Sequence, residues 1–188
     1  MEKNNIYKEI SVYKNFLSTE DIYIIMKECL SSLESDWHGI ESGHIYKLIK
    51  DKPELIEKFD KHIEKWDRTK YEIKSVEFIN KIKNKIELLV GDKYKVSDDY
   101  KLVNRFSTGR DMDVHHDAIL DSSIKFGAVI YLNDNYDGGE IFYPKLNFEY
   151  KPRCGDLVIH PAIDGYEHGV RMVTGGNRYS IAFFIKTI

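Results

Sequence analysis

Three apolar stripes at helical spacing run through the first half of the chain. Ile22, Ile25, Met26, Cys29, Leu30 and Leu33 recur with the period that turns one helix face toward a core. Ser18 stands ahead of them with Asp21 three residues on, a capping pair at a helix start. Ile56, Phe59, Ile63 and Trp66 repeat the period behind Pro53, which suits a first helical turn. Ile79, Ile82, Ile86 and Leu89 form the third stripe, stopped by Gly91, and Lys81, Lys83 and Lys85 read as its solvated side. Between the stripes, Asp36 to Tyr46 (DWHGIESGHIY) shows no period and predicts a loop or an irregular strand.

From about Tyr94 the pattern shortens. Runs rich in β-branched and aromatic residues (YKLVNRF, IKFGAVIYL, EIFY, LNFEY, LVIH, GVRMV, RYSIAFFI) alternate with turn signals such as STGRD, NDNYDGG, KPRCGD and TGGN. Many short strands with regular turns predict an antiparallel sandwich or barrel. The expected fold is therefore α+β: an antiparallel double-stranded β-helix, or jelly roll, with N-terminal helices packed on its outside. No repeat or linker divides the chain, so residues 1–188 read as one domain. Within it, 1–93 is mainly helical and 94–188 is the jelly-roll core. Gly138 and Gly139 read as a hairpin turn and not as a phosphate cradle, because no helix signal follows them.

Composition narrows the classes. The 188 residues carry a net charge of −3, which gives no basic surface for nucleic acid. No apolar run reaches the roughly 20 residues of a membrane span, and the first residues lack the apolar stretch of a secretory signal. The two cysteines, Cys29 and Cys154, form no disulfide framework. A reducing, cytoplasmic setting is the expectation.

The chemistry concentrates in VHHDA, residues Val114 to Ala118. On an extended strand His115 and Asp117 share one face, while His116 takes the other with Val114 and Ala118. A metal on that pair needs a third ligand, and His160 and His168 are both available in the strand region. His168 has Arg178 ten residues on, whereas His160 has Val170 there. Two histidines and one carboxylate are the ligand set of non-haem Fe(II) oxygenases, since three ligands on one face leave open positions for cosubstrate and dioxygen. Asp111 and Asp113 read as solvated turn residues, and His38, His44 and His62 as surface or packing histidines.

From roughly Tyr100 to Ile185 the chain resembles the prolyl 4-hydroxylase-like branch of the 2-oxoglutarate- and Fe(II)-dependent dioxygenases. The resemblance rests on RFSTG, HHD, AVIYLNDNYDGGEIFYP, CGDLVIHP and HGVRMVTGGNRYSIAFFI, in that order. It implies His115, Asp117 and His168 as iron ligands and Arg178 as the partner of the far carboxylate of 2-oxoglutarate. A guanidinium suits that role because it is a permanent cation with fork geometry. Tyr131 matches a family tyrosine that binds the same carboxylate, and Ser180 shares strand parity with Arg178. Phe106 occupies a cosubstrate position where many relatives carry tyrosine, so one phenolic hydroxyl is missing. His160 stands where relatives carry an apolar aromatic residue, and the resemblance assigns it no role. The implied activity is hydroxylation of a prolyl residue in a peptide or protein, using dioxygen, releasing succinate and carbon dioxide, with ascorbate as a reductant. The competing reading is a cupin-type metal-binding jelly roll without oxygenase activity. Arg178 and Tyr131 argue against it, because a bare metal site has no need of a carboxylate clamp.

Overall fold

The structure is a computed structural model and describes residues 2–7, 9–39, 68–98, 101–119 and 121–188. Its architecture is easiest to derive from the strand Asn177–Thr187 (β15), whose pattern NRYSIAFFIKT is buried along most of its length. Burial on both faces requires cover on both faces. Tyr179, Ile181, Phe183 and Ile185 join the main apolar core, while Arg178, Ser180, Ala182 and Phe184 line a pocket on the other side. Strand alternation thus divides one segment between core and site.

β15 lies at the centre of a nine-stranded sheet. The other members are β1 (Glu2–Tyr7), β2 (Ile10–Lys14), β3 (Trp37–Gly39), β4 (Thr69–Glu72), β5 (Tyr94–Val96), β6 (Leu102–Ser107), β8 (Ile124–Tyr131) and β12 (Leu157–Pro161). The order is β1-β2-β12-β8-β15-β6-β4-β3, with β5 also paired to β15. A four-stranded sheet, in the order β11-β10-β13-β7, joins β7 (Met112–His115), β10 (Ile141–Tyr143), β11 (Phe148–Tyr150) and β13 (His168–Val170). A short ladder pairs β9 (Asp137–Gly138) with β14 (Val173–Gly175). All the pairings are antiparallel, as a jelly roll requires. A second apolar cluster, with Ile10, Val12, Tyr131, Ile141, Tyr143 and Val158, joins residues of both sheets.

Two helices stand against the large sheet among the described residues: α1 (Thr19–Leu30) and α2 (Val76–Val90). Ser18 caps α1 as its spacing predicts: its Oγ accepts from the Asp21 N–H at 3.1 Å and donates to Asp21 Oδ2 at 2.8 Å. Ile25 and Cys29 of α1, and Phe78, Ile79, Ile82 and Ile86 of α2, enter the main core. Gly91 ends α2 at φ 91°.

Several local expectations need correction. Leu30 and Leu33 are 63% and 70% exposed, because α1 ends at Leu30 and the stripe turns away from the sheet. Among the described residues of the first 93, β1 to β4 stand beside the two helices and extend both flanks of the large sheet. Trp37–Gly39 is a strand, while the rest of the Asp36 to Tyr46 stretch from residue 40, the stripe from Pro53 to Trp66, His44 and His62 lie outside the described residues. Lys81, Lys83 and Lys85 are not simply solvated: they reach Asp21, Asp98 and the Phe16 carbonyl respectively. Gly138 pairs with Val173 across the β9–β14 ladder instead of turning a simple hairpin. Among the described residues no helix is long and apolar enough to cross a membrane.

Candidate metal centre and cosubstrate pocket

Register brings the two distant histidines together. β13 runs antiparallel to β7 with His168 opposite His115. Gly169 permits the close approach: a Cβ there would lie 2.6 Å from the Met112 carbonyl oxygen and 2.8 Å from the Phe142 ring. β7 stops at His115, so the simple strand-parity placement of Asp117 is corrected. The aspartate opens a 3₁₀ turn, Asp117–Ile119, and reaches the same space from there. The Ala118 N–H donates to the Ala162 carbonyl at 2.9 Å and His116 Nδ1 donates to the same oxygen at 3.3 Å, which pins the turn. His116 therefore faces away from the site, as predicted.

Each ring of the histidine pair is oriented by its own backbone. His115 Nδ1 donates to the Asp113 carbonyl at 2.9 Å, and His168 Nδ1 donates to the Tyr166 carbonyl at 3.3 Å. A carbonyl can only accept, so both Nε2 atoms carry lone pairs toward the cluster, the state a metal ligand needs. Asp117 Oδ1 lies 3.5 Å from His115 Nε2 and 3.8 Å from His168 Nε2. Among the described residues His115, Asp117 and His168 form the group able to hold a metal, their ligand atoms within 4.8 Å of one another. Asp111 and Asp113 do not join it.

Electrostatics favours this state at Asp117 and His168, while His115 is drawn toward its charged form. Burial alone would raise the Asp117 carboxyl, but His168, His115 and His160 outweigh it and hold the group well below the usual carboxylate range. Burial, reinforced by His160, pushes His168 well below the ordinary imidazole value, so it stays neutral. For His115, burial opposes the charged form, yet the hydrogen bond to Asp117 prevails and raises its value. One anionic and two imidazole ligands, with softer donors absent from the group, suit a divalent iron.

The same pocket carries a buried guanidinium. Arg178 is 2% exposed and donates from Nη1 to Ser180 Oγ at 3.2 Å. Its Cζ lies 5.0 Å from the Phe106 ring and 4.9 Å from the Tyr131 ring. Arg178 Nε and the hydroxyls of Tyr131 and Tyr136 are buried with no hydrogen-bond partner. Burial raises the Tyr131 hydroxyl far above its usual value, so it remains a donor. Unsatisfied buried donors are costly, and a carboxylate supplies the acceptors they lack. The residues present therefore fit a dicarboxylate whose far end meets Arg178. Phe106 supplies no hydroxyl but packs its ring beside the guanidinium.

Sequence reasoning missed several neighbours. Tyr136 lies beside Arg178 and carries one of the orphaned hydroxyls. Arg68, Asn104 and Met112 line the pocket. Arg68 Nε donates to Asn104 Oδ1 at 3.1 Å, and Nη1 lies 3.4 Å from Met112 Sδ. His160, fully buried, meets Asp117 Oδ2. Its inward direction was readable from parity with Val158, but its partner comes from a distant turn.

A jelly roll whose pocket joins a two-histidine, one-carboxylate cluster to a buried arginine defines a class. Residues 102–186 match the model of the 2OG-Fe(II) oxygenase superfamily, so this part of the chain is similar to that family. Among solved structures, a prolyl hydroxylase from Trichoplax adhaerens in complex with a hypoxia inducible factor peptide fragment superposes with a TM-score of 0.70 at 15% identity. That match covers 95% of this chain and 84% of the other. The 2OG complex of a viral collagen prolyl hydroxylase from Paramecium Bursaria Chlorella virus-1 gives 0.67 at 17% identity, covering 96% and 97%. These similarities establish the fold. Prolyl 3-hydroxylase 2 of Mus musculus is 31% identical over 64 residues, which is 31% of this chain and 9% of that protein. The chain thus matches a small part of the length of its curated relatives.

Proposed function

We propose that this chain is a 2-oxoglutarate- and Fe(II)-dependent dioxygenase that hydroxylates a prolyl residue of a peptide or protein, releasing succinate and carbon dioxide. The observation that carries this reading is the shared pocket: a His115–Asp117–His168 cluster and the orphaned donors of Arg178 and Tyr131 line one pocket. The prolyl substrate is supported by the names of the structural neighbours and of the partial sequence relatives.

His115, Asp117 and His168 would hold the metal. Arg178, with Tyr131 and Ser180 beside it, binds the far carboxylate of 2-oxoglutarate and fixes its reach. Iron, when bound, supplies the redox chemistry that couples dioxygen activation to decarboxylation of the cosubstrate. Ile141, Val170 and Phe106, all buried, form apolar walls around these groups.

The test is anaerobic titration of Fe(II)-loaded protein with 2-oxoglutarate, following the visible metal-to-ligand charge-transfer band. The band should form in the wild type and be absent in His168→Ala and Asp117→Ala. Metal bound with no band would favour a metal-binding jelly roll without oxygenase activity. Succinate release stimulated by proline-containing peptides then tests the substrate.

A further inference from the structure

Asp117 has two carboxylate oxygens, and the fold uses them differently. Oδ1 faces the Nε2 atoms of His115 and His168 at 3.5 and 3.8 Å. Oδ2 faces His160 Nε2 at 3.1 Å. We propose that His160 is a positioning residue: it holds Asp117 by the oxygen the metal does not use and so presents the other to the metal. The inference rests on the reading of His115, Asp117 and His168 as metal ligands.

The polarity of the contact follows from its partners. A carboxylate accepts and cannot donate, so His160 Nε2 carries the hydrogen. A neutral ring then has a bare Nδ1, and the Tyr143 hydroxyl lies 2.9 Å from it. Tyr143 therefore donates to Nδ1 and His160 donates to Oδ2, an ordered chain of two hydrogen bonds. Tyr143 and His160 are both 0% exposed, so no solvent competes for these groups.

The sheet makes room for the pair. Gly127 of β8 stands directly across from His160 of β12 in the register. A Cβ at Gly127 would lie 2.1 Å from Asp117 Oδ2 and 2.5 Å from His160 Nε2. Any side chain there would occupy the space in which the two groups meet. The need for such a brace comes from Asp117's own setting, since it opens a short 3₁₀ turn beyond the end of β7. A single turn restrains χ1 and χ2 of an aspartate weakly, and His160 supplies the missing restraint.

His160 is not itself placed as a ligand. Its Nε2 is engaged by Oδ2 and its Nδ1 by Tyr143, and it stands outside the cluster whose ligand atoms converge. Its ring packs tilted against His168, 4.1 Å between centroids, which also limits that ligand's rotation.

The test is competition titration with Co(II), and the Co(II) absorption spectrum reports the coordination number. His160→Phe should weaken Co(II) binding by about 10–100-fold, the usual effect of losing an outer partner of a ligand, with the spectrum unchanged in form. His160→Gln, which retains an N–H donor, should recover most of the loss. Tyr143→Phe should cause a smaller loss alone and none further in a His160→Phe background, because the two act in one chain. Gly127→Ala should match His160→Phe. Should His160→Phe fail to fold, Tyr143→Phe and Gly127→Ala decide the matter by the same affinities. Wild-type affinity in His160→Phe, with binding lost in Asp117→Ala, would overturn the positioning role and leave the metal site standing. A Co(II) spectrum in His160→Phe or His160→Gln showing one ligand fewer would overturn it by making His160 a ligand. A wild-type protein that binds no Co(II) would remove the metal-site reading, and this inference with it.

Discussion

Arg178 shows how much one residue depends on what surrounds it. A buried guanidinium is tolerable only if its neighbours offset its lost hydration. Here one Nη donates to Ser180 and two aromatic rings flank the cation, yet Nε has no partner. Arg178→Ala should weaken 2-oxoglutarate binding by about 2–5 kcal/mol, because a buried carboxylate loses its counter-charge. Calorimetry of the Fe(II)-loaded protein measures this, and an unchanged affinity would place the carboxylate elsewhere. The two thiols take no part. Burial raises the Cys29 thiol to about 12, so in folded protein Cys29 should resist alkylation near pH 8 and react only on unfolding. Rapid labelling of Cys29 in the native state would contradict its place on the buried face of α1.

At the scale of elements, the link between α1 and α2 is a charge contact anchored on a helix cap. Lys81 Nζ lies 2.6 Å from Asp21 Oδ1, and Ser18 holds the other oxygen. Burial raises the Asp21 carboxyl, but the hydrogen bonds from Lys81 and Ser18 outweigh it and lower its value below 3.8. A depressed carboxylate stabilises the fold fully above its unfolded value and loses that contribution as pH falls through the folded one. The stability gap between wild type and Asp21→Asn, measured by urea unfolding, should therefore be open at neutral pH and close below about pH 4. A gap that does not change with pH would show that the cap alone matters. Ser18→Ala should cost about 1 kcal/mol in the same assay. Gly169→Ala should push β13 away from β7 and so weaken metal binding even though it alters no ligand; unaltered affinity would mean the strands tolerate the added methyl.

The element pattern explains what could be read from the sequence. Helical stripes with good caps, at Ser18 and at Gly91, were legible because their signals are local. β1 to β4 were not: β2 and β4 join the sheet through β12 and β6 far along the chain, β1 and β3 only extend them, and short strands such as WHG carry no period of their own. The metal cluster was legible through residue types and the His168–Arg178 offset. The role of His160 was not, because its meaning depends on Asp117 leaving the strand for a turn and on Gly127 making space.

For the whole molecule, metal and proton compete for the same imidazoles. His115 has a raised value, so its proton returns earlier on acidification than that of an ordinary histidine near 6.5. Metal affinity should consequently fall as pH drops through that region, and a binding curve flat down to about pH 5 would count against histidine ligation.

The two faces of β15 have a consequence for how the protein is made. Its odd positions seal the helices against the sheet, and its even positions carry Arg178 and Ser180 into the pocket. The strand cannot dock one face without docking the other. Folding and the assembly of the site are therefore a single cooperative event, late and slow because it depends on pairing distant segments. No stable intermediate should hold a finished helical core beside an unfinished pocket. A damaged core residue such as Phe183 should be felt at the arginine as readily as a damaged site.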